Sequence, residues 1–232
     1  MDGGGLQHPE TGVVQGGVIS PVLANVVLHH VLDVWFAQEV QPRLKGRSFL
    51  TRFADDFVIG CEREADARRV MAVLSKRFAR FGLRIHPEKT ALIAFSNPRA
   101  RPGSAEGNGT CDFLGLTHYW AQSRRGYWVI KRQTARKRLR RTTKALWRWC
   151  RINRHLPLPA QYARLCQKLR GHFQYYGMRG NSRLLDVVRR RAEAAWRFWL
   201  SRRSHTSAIS WERFQQLRKV FVLPRPTIVH SL

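Results

Sequence analysis

The positive charge of this 232-residue chain is concentrated in its second half. Residues 1–100 contain 13 Lys and Arg and 10 Asp and Glu, whereas residues 101–232 contain 29 and 5. Charged side chains are rarely buried unpaired, so the elements of the second half must be amphipathic, with basic side chains on their outer faces. The contrast suggests two functional units. A surface with this charge attracts polyanions, and nucleic acid is the expected partner.

Composition excludes several other classes of protein. Hydrophobic residues make up 44% and charged residues 25% of the chain, which is ordinary for a folded protein and excludes wholesale disorder. No apolar run approaches the roughly 18 residues of a membrane-spanning helix, and the N-terminus lacks the pattern of a secretory signal. The four cysteines include no CxxC pair, which argues against a zinc site or a disulfide framework. We therefore expect a cytoplasmic protein that binds no membrane.

Local patterns in the first half predict helices that alternate with short strands. Ser20 and Pro21 suit the N-cap and first turn of a helix with one apolar face, and Gly82 suits the end of another. The predicted elements are a helix over residues 20–39, hairpin strands over 48–53 and 57–60, a helix over 64–81, strands over 83–85 and 91–95, and a strand from 113 that pairs with 127–130. Helices that cross an antiparallel sheet make an α+β fold.

The adjacent carboxylates Asp55 and Asp56 fall at the turn of the predicted hairpin. Like charges repel at such a turn, where Asp-Gly or Asn-Gly would be the usual choice. A divalent cation removes the repulsion, and Mg²⁺ prefers carboxylate oxygens. The alternative is a solvated acidic turn, but the apolar strands on both sides and the basic chain favour a metal site.

A basic stretch over residues 131–151 predicts a long amphipathic helix. Its apolar stripe comprises Ala135, Leu139, Leu146 and Cys150. The outer face would bind nucleic-acid phosphates through Lys131, Arg132, Arg136, Lys137, Arg140, Lys144, Arg148 and Arg151. A second basic helix is predicted over residues 184–203. Interleaved aromatic residues could either stack on unpaired bases or belong to the core, and the core is favoured for Trp196 and Trp199.

Several short segments resemble sequence boxes of reverse transcriptases. Residues 15–21 with Ala24 and Asn25 resemble the QGG-x-ISP-xx-AN segment, residues 53–56 (FADD) the aromatic-Ala-Asp-Asp box, residues 86–90 (HPEKT) the x-PEKT segment, and residues 113–115 the FLG box. Residues 169–177 and 221–226 resemble the maturase-specific region. The order and spacing over residues 12–226 resemble those of group II intron reverse transcriptase/maturases.

The resemblance implies a role for each matching residue. Asp55 would be a ligand of a catalytic pair of Mg²⁺ ions, and Asp56 a second ligand. The segment that approaches the template base and the incoming deoxynucleoside triphosphate would be Gln15, Gly16 and Gly17, with Lys89 near the triphosphate. The DNA primer would be held by Phe113, Leu114 and Gly115. The implied partners are structured intron RNA, a DNA primer or target, and deoxynucleoside triphosphates.

The resemblance also implies features that the sequence lacks. Reverse transcriptases carry another catalytic aspartate and finger motifs before the QGG segment, and only fourteen residues precede Gln15 here. The expectation is a C-terminal fragment, with part of the palm over residues 1–120 and a basic helical thumb and maturase-specific domain over 121–232. A separate N-terminal chain could complement it. Two functions stay open: an RNA-directed DNA polymerase, inactive as this fragment alone, and a non-catalytic RNA-binding maturase or degraded remnant.

Overall fold

The structure is a computed structural model that describes residues 19–98, 109–203 and 208–230. The chain divides into two units, one that ends at Ile93 and one that begins at Ala94. Each unit combines helices with a small antiparallel sheet, so the α+β class is confirmed. The functional boundary proposed after residue 120 stays a prediction.

The first unit starts with helix α1 (Ser20–Leu28), whose first turn contains Pro21. Ile19 occupies the N-cap position without a side-chain hydrogen bond, so the prediction of Ser20 as the cap was wrong by one residue. The helical path continues through wider π-helical turns, His29–Val34 and Phe36–Val40, and ends in a 3₁₀ turn, Gln41–Arg43. A proline at position 42 stops it, since proline donates no backbone hydrogen bond.

Only the second part of this helical segment is buried. Val31, Leu32 and Phe36 belong to the core of the first unit, whereas Val22 and Val26 are 60% and 52% exposed. The single buried face predicted from periodicity was therefore wrong for the first turns. By length and composition, Ser20–Arg43 is the one described helix that could cross a membrane, with a mean hydropathy of 1.2. This is weak evidence, because the core helix of a folded domain meets the same criteria.

The predicted hairpin is confirmed as strands β1 (Ser48–Phe53) and β2 (Asp56–Cys61), which pair antiparallel. Helix α2 (Glu64–Arg80) packs on the same core, and Gly82 follows it at a positive φ of 70°. The buried Asp66 of α2 accepts hydrogen bonds from the backbone N–H groups of Lys45 and Gly46, at 3.1 and 2.9 Å. These bonds fix the loop that leads into β1.

The strands predicted over residues 83–85 and 91–95 do not form. Their apolar residues suit a strand, but a strand also needs a neighbouring backbone, and no described segment pairs with these residues as a ladder. Between them the chain turns at His86, whose carbonyl accepts from the N–H groups of Lys89 and Thr90 and from the Thr90 hydroxyl.

The second unit begins with a three-stranded antiparallel sheet in the order β3 (Cys111–Phe113), β4 (Leu116–Gln122), β5 (Trp128–Thr134). Leu114 and Gly115, predicted to lie inside a strand, instead form the two-residue turn between β3 and β4. Both have positive φ, 51° and 77°, which suits a tight hairpin turn.

Four helices complete the second unit: α3 (Arg136–Ile152), α4 (Leu158–Tyr176), α5 (Ser182–Leu200) and α6 (Trp211–Val220). They share one apolar core, which includes Trp196 at 2% exposure, as predicted. The side chains of Trp196 and Asn181 find polar partners in it, whereas the buried indole N–H of Trp199 has no hydrogen-bond partner among the described residues. The Trp196 indole donates to Gln161 Oε1 at 2.9 Å, and Asn181 bonds both the backbone N–H and the hydroxyl of Thr134. These bonds tie α5 to α4 and to β5.

Candidate active site and nucleic-acid interface

Asp55 and Asp56 lie at the turn between β1 and β2, and both are exposed. Phe53 pairs with Asp56 across the hairpin, so Ala54 and Asp55 make the turn itself. Ala54 takes a φ of 54°, a left-handed conformation that is uncommon for a residue with a side chain. Such strain persists only where surrounding contacts hold it, and it concentrates at functional sites.

The contacts that hold this turn come from Arg52. The Arg52 guanidinium donates to both carboxylate oxygens of Asp33, at 2.8 and 2.6 Å. Its Nη1 also donates to Asn25 Oδ1 at 2.8 Å and to the backbone carbonyl of Ala54 at 2.9 Å. One side chain therefore joins α1, the π-helical turn that follows it, and the turn that carries Asp55.

The charges of Arg52 and Asp33 stabilise each other. The hydrogen bonds from Arg52 lower the pKa of Asp33 below its ordinary value of 3.8, against a partial desolvation that acts in the other direction. The bonds to Asp33 likewise raise the pKa of Arg52. Only 13% of the Arg52 side chain is exposed, so solvent screens the pair weakly. Both groups are charged at neutral pH.

The described residues supply only part of a metal site. Asp55 and Asp56 present carboxylate oxygens of the type that Mg²⁺ prefers. Across residues 19–98, 109–203 and 208–230, no three His, Cys, Asp or Glu residues come together as a potential metal site. The donor set therefore fits Mg²⁺ in kind, and within the described residues no third His, Cys, Asp or Glu joins it.

The other predicted polymerase residues are placed as follows. Gln15, Gly16 and Gly17 lie outside the described residues. Lys89 lies exposed in the turn that follows His86, in the same unit as Asp55. Phe113, Leu114 and Gly115 are half-buried and belong to the second unit. The roles assigned to these residues stay predictions.

The turn of the FLG box is held by the helices of its own unit. The Tyr175 hydroxyl donates to the Leu114 carbonyl at 3.1 Å, and the Ala135 N–H donates to the Gly115 carbonyl at 2.9 Å. A Cβ atom at Gly115 would come within 2.8 Å of the Tyr176 hydroxyl oxygen. Burial raises the pKa of that hydroxyl, so it stays protonated at neutral pH. The turn thus has a fixed shape and room for glycine alone.

Helix α3 carries a dense positive charge that no described residue neutralises. Its apolar stripe of Leu139, Leu146 and Cys150 packs on the core, as predicted. Its eight basic side chains are exposed, and none forms an ion pair with any residue that the structure describes; they are Arg136, Lys137, Arg138, Arg140, Arg141, Lys144, Arg148 and Arg151. This face is available to a polyanion.

Two of the predicted RNA-binding residues do not belong to that helix. Lys131 and Arg132 are half-buried on β5, because residues 128–134 pair with β4 along the full strand. The Lys131 ammonium donates to the Gln122 carbonyl at 2.7 Å. The helix predicted from residue 131 therefore begins only at Arg136.

Sequence reasoning missed the residues that hold the two turns. The sequence indicates Asn25 only within a sequence box and Tyr175 only within the maturase-like segment over residues 169–177, and it predicts no role for Arg52 or Asp33. The alternation of β1 did not indicate Arg52, because the half-buried positions are Ser48, Leu50 and Arg52, whereas the phenylalanines of the strand are exposed. A basic side chain on the inner face of a strand requires a carboxylate partner.

Comparison with known proteins agrees with this geometry. Residues 3–118 match the family model described as "Reverse transcriptase (RNA-dependent DNA polymerase)". The match spans half of the chain and includes the Asp55–Asp56 hairpin, Lys89 and the FLG turn. A search of curated proteins found no match. On the strength of the family match, the chain belongs to the reverse transcriptase family.

Proposed function

We propose that this protein takes part in RNA-directed DNA synthesis as a reverse transcriptase of the group II intron type. The observation that carries the proposal is the hairpin on which Asp55 and Asp56 are exposed side by side at a turn that Arg52 holds. The x-PEKT and FLG segments, which follow in the order of the family, support it. Intron RNA, a DNA primer and deoxynucleoside triphosphates would be its partners.

Within this proposal each residue has a defined task. Asp55 and Asp56 would hold Mg²⁺, which supplies charge neutralisation for phosphoryl transfer when bound. Lys89 would offset triphosphate charge. The fixed turn at Leu114 and Gly115 would position the primer strand through its backbone.

Primer extension on an RNA template tests the polymerase proposal. Within the described residues, no third acidic or histidine side chain joins Asp55 and Asp56. We therefore expect the chain alone to extend a primer roughly a thousandfold more slowly than the chain mixed with a polypeptide that supplies reverse transcriptase fingers and upstream palm. Asp55→Asn should abolish the restored activity. Glu39→Gln, at an exposed acid of the helical segment that follows α1, should leave it unchanged. Restored activity that survives Asp55→Asn would refute the assignment.

A second candidate is a non-catalytic maturase that binds structured intron RNA and assists splicing. The observation in its favour is the face of α3, with eight exposed cations and no ion pair to a described residue. Such a face binds phosphates of folded RNA irrespective of metal-dependent chemistry. The two candidates are compatible, because RNA binding by α3 would serve either activity.

The salt dependence of RNA binding tests this second candidate. The wild-type chain should show a steep negative slope of log affinity against log salt concentration, since each phosphate contact contributes about 0.9 for a duplex. Replacing Arg136, Arg140 and Arg148 with alanine should flatten the slope. The matched control replaces three exposed cations of α2, Arg68, Arg69 and Lys76. A wild-type slope near zero, or equal changes in both triple variants, would contradict the proposal.

A further inference from the structure

Three aromatic side chains form a partly exposed group on the surface of the second unit. Trp147 of α3 lies 4.7 Å from Phe198 and 5.7 Å from Trp199 of α5, measured between ring centroids. Phe198 and Trp199 are half-buried, whereas Trp147 is 40% exposed. We call these three residues the Trp147 group. Phe198 and Trp199 pack against Trp147 of α3, and Trp147 is the most exposed of the three rings.

Cations surround the Trp147 group. The Arg202 guanidinium lies 3.5 Å from the centroid of Phe198, and that of Arg151 lies 5.7 Å from the centroid of Trp199. Residues three and four apart share a face of a helix, so Trp147 lies in line with Lys144 and Arg151 on the basic face of α3. An exposed indole among these cations suits a partner that carries both negative charge and aromatic rings.

We propose that the Trp147 group is a stacking site for an unpaired base of RNA, with the flanking phosphates bound by Lys144 and Arg151. Nucleobases stack on aromatic side chains irrespective of sequence, and single-stranded loops present both the base and the phosphates. The dense positive charge of this face favours RNA over a protein partner. The inference rests on the proposal that α3 binds RNA, and it specifies the place on that face where an unpaired segment binds.

The test uses the full chain and a short single-stranded RNA that carries 2-aminopurine, whose fluorescence falls when it stacks. Binding of the wild-type chain should quench the probe. Trp147→Ala should weaken single-strand affinity about tenfold and remove the quenching, while Trp147→Phe retains most of both. The matched control is Trp211→Ala, because Trp211 is 51% exposed and lies 4.5 Å from the Arg197 guanidinium but belongs to α6. It should change affinity by less than about twofold.

A fully paired RNA hairpin stem separates stacking from charge. Trp147→Ala should bind the stem as the wild type does, because a stem offers phosphates but no free base face. Equal losses on the stem and the single strand would overturn the inference. So would binding of single strands by the wild type without quenching, although α3 would then still be an RNA-binding face. If the wild type binds neither RNA, both this inference and RNA binding by α3 are wrong.

Discussion

The Arg52 guanidinium donates to both carboxylate oxygens of Asp33, which lies nineteen residues earlier in the chain. Through the same side chain the turn before Asp55 is bonded to α1, at Asn25. The hairpin that presents Asp55 and Asp56 is therefore not a free loop. Its position is set by a helical segment whose buried side chains, Val31 and Leu32, belong to the core of the first unit.

Arg52→Ala should loosen the hairpin. The substitution leaves the Asp33 carboxylate and the Ala54 carbonyl without their donor, and leaving a partly buried acceptor unpaired costs about 1–3 kcal/mol. Hydrogen exchange of peptides that cover residues 48–61 should accelerate accordingly. Arg47→Ala is the control, because Arg47 is 94% exposed and its pair with Glu62 is solvated. Equal protection in both variants would show that Arg52 does not hold the turn.

The Asp33–Arg52 pair also predicts how stability depends on pH. Since Arg52 lowers the pKa of Asp33 in the folded protein, the unfolded chain takes up a proton first as pH falls below about 4. The stabilisation by the Asp33–Arg52 pair is thus complete above the pKa of Asp33 in the unfolded chain. It is lost as pH falls through the lower pKa that Asp33 has in the folded protein. In urea denaturation, Asp33→Asn should be less stable than wild type at pH 7, and the difference should shrink in acid.

The control for this pH dependence is Glu39→Gln, at an exposed acid of the same helical segment. Its stability should follow the wild-type curve across the acid range. If the difference in stability between Asp33→Asn and wild type stays constant from neutral to strongly acidic pH, then Arg52 does not lower the pKa of Asp33 in the folded protein.

What the sequence could predict depended on how local each feature was. Strands β1 and β2 follow from two apolar runs around a short polar turn, and the apolar stripe of α3 follows from helical spacing alone. The Arg52–Asp33 pair joins residues on different elements, so no local pattern indicates it. The same holds for Tyr175 and Leu114, which lie 61 residues apart.

The errors have a common physical origin. Residues 83–85 and 91–95 have strand-like composition, but a strand forms only with a partner backbone, and that partner is a non-local feature. At residues 131–134 the reverse occurred: basic residues at helical spacing became a strand because β4 offered a partner along its whole length. Tertiary context overrode local propensity in both places.

Gly115 should tolerate alanine less well than Gly126 does. Both have positive φ, 77° and 78°, so the backbone strain of an added side chain is similar. Nothing lies within 4 Å of a Cβ at Gly126, whereas one at Gly115 meets the Tyr176 hydroxyl. The Tyr176 ring itself lies 4.7 Å from the His172 ring, centroid to centroid, which restricts its movement. We expect Gly115→Ala to be more destabilising by at least about 1 kcal/mol in thermal unfolding.

A double variant checks the cause. Gly115→Ala combined with Tyr176→Phe removes the hydroxyl and should recover part of the lost stability, since the clash is with that oxygen. If Gly115→Ala and Gly126→Ala are equally destabilising, the close approach of Tyr176 to the turn has no energetic consequence.

Divalent metal should bind weakly at Asp55 and Asp56 in this chain. Two exposed carboxylates at one turn supply few ligands, and the described residues add no third acidic or histidine side chain nearby. We expect dissociation constants for Mn²⁺ or Mg²⁺ in the millimolar range in the absence of nucleotide, measured by calorimetry or by the Mn²⁺ paramagnetic resonance signal.

Asp55→Asn should weaken binding further, because it removes one of the two charges that attract the ion. Asp112→Asn should not, because that exposed carboxylate lies outside the hairpin and accepts a hydrogen bond from Thr117. Tight stoichiometric binding without nucleotide would contradict this expectation of a weak site.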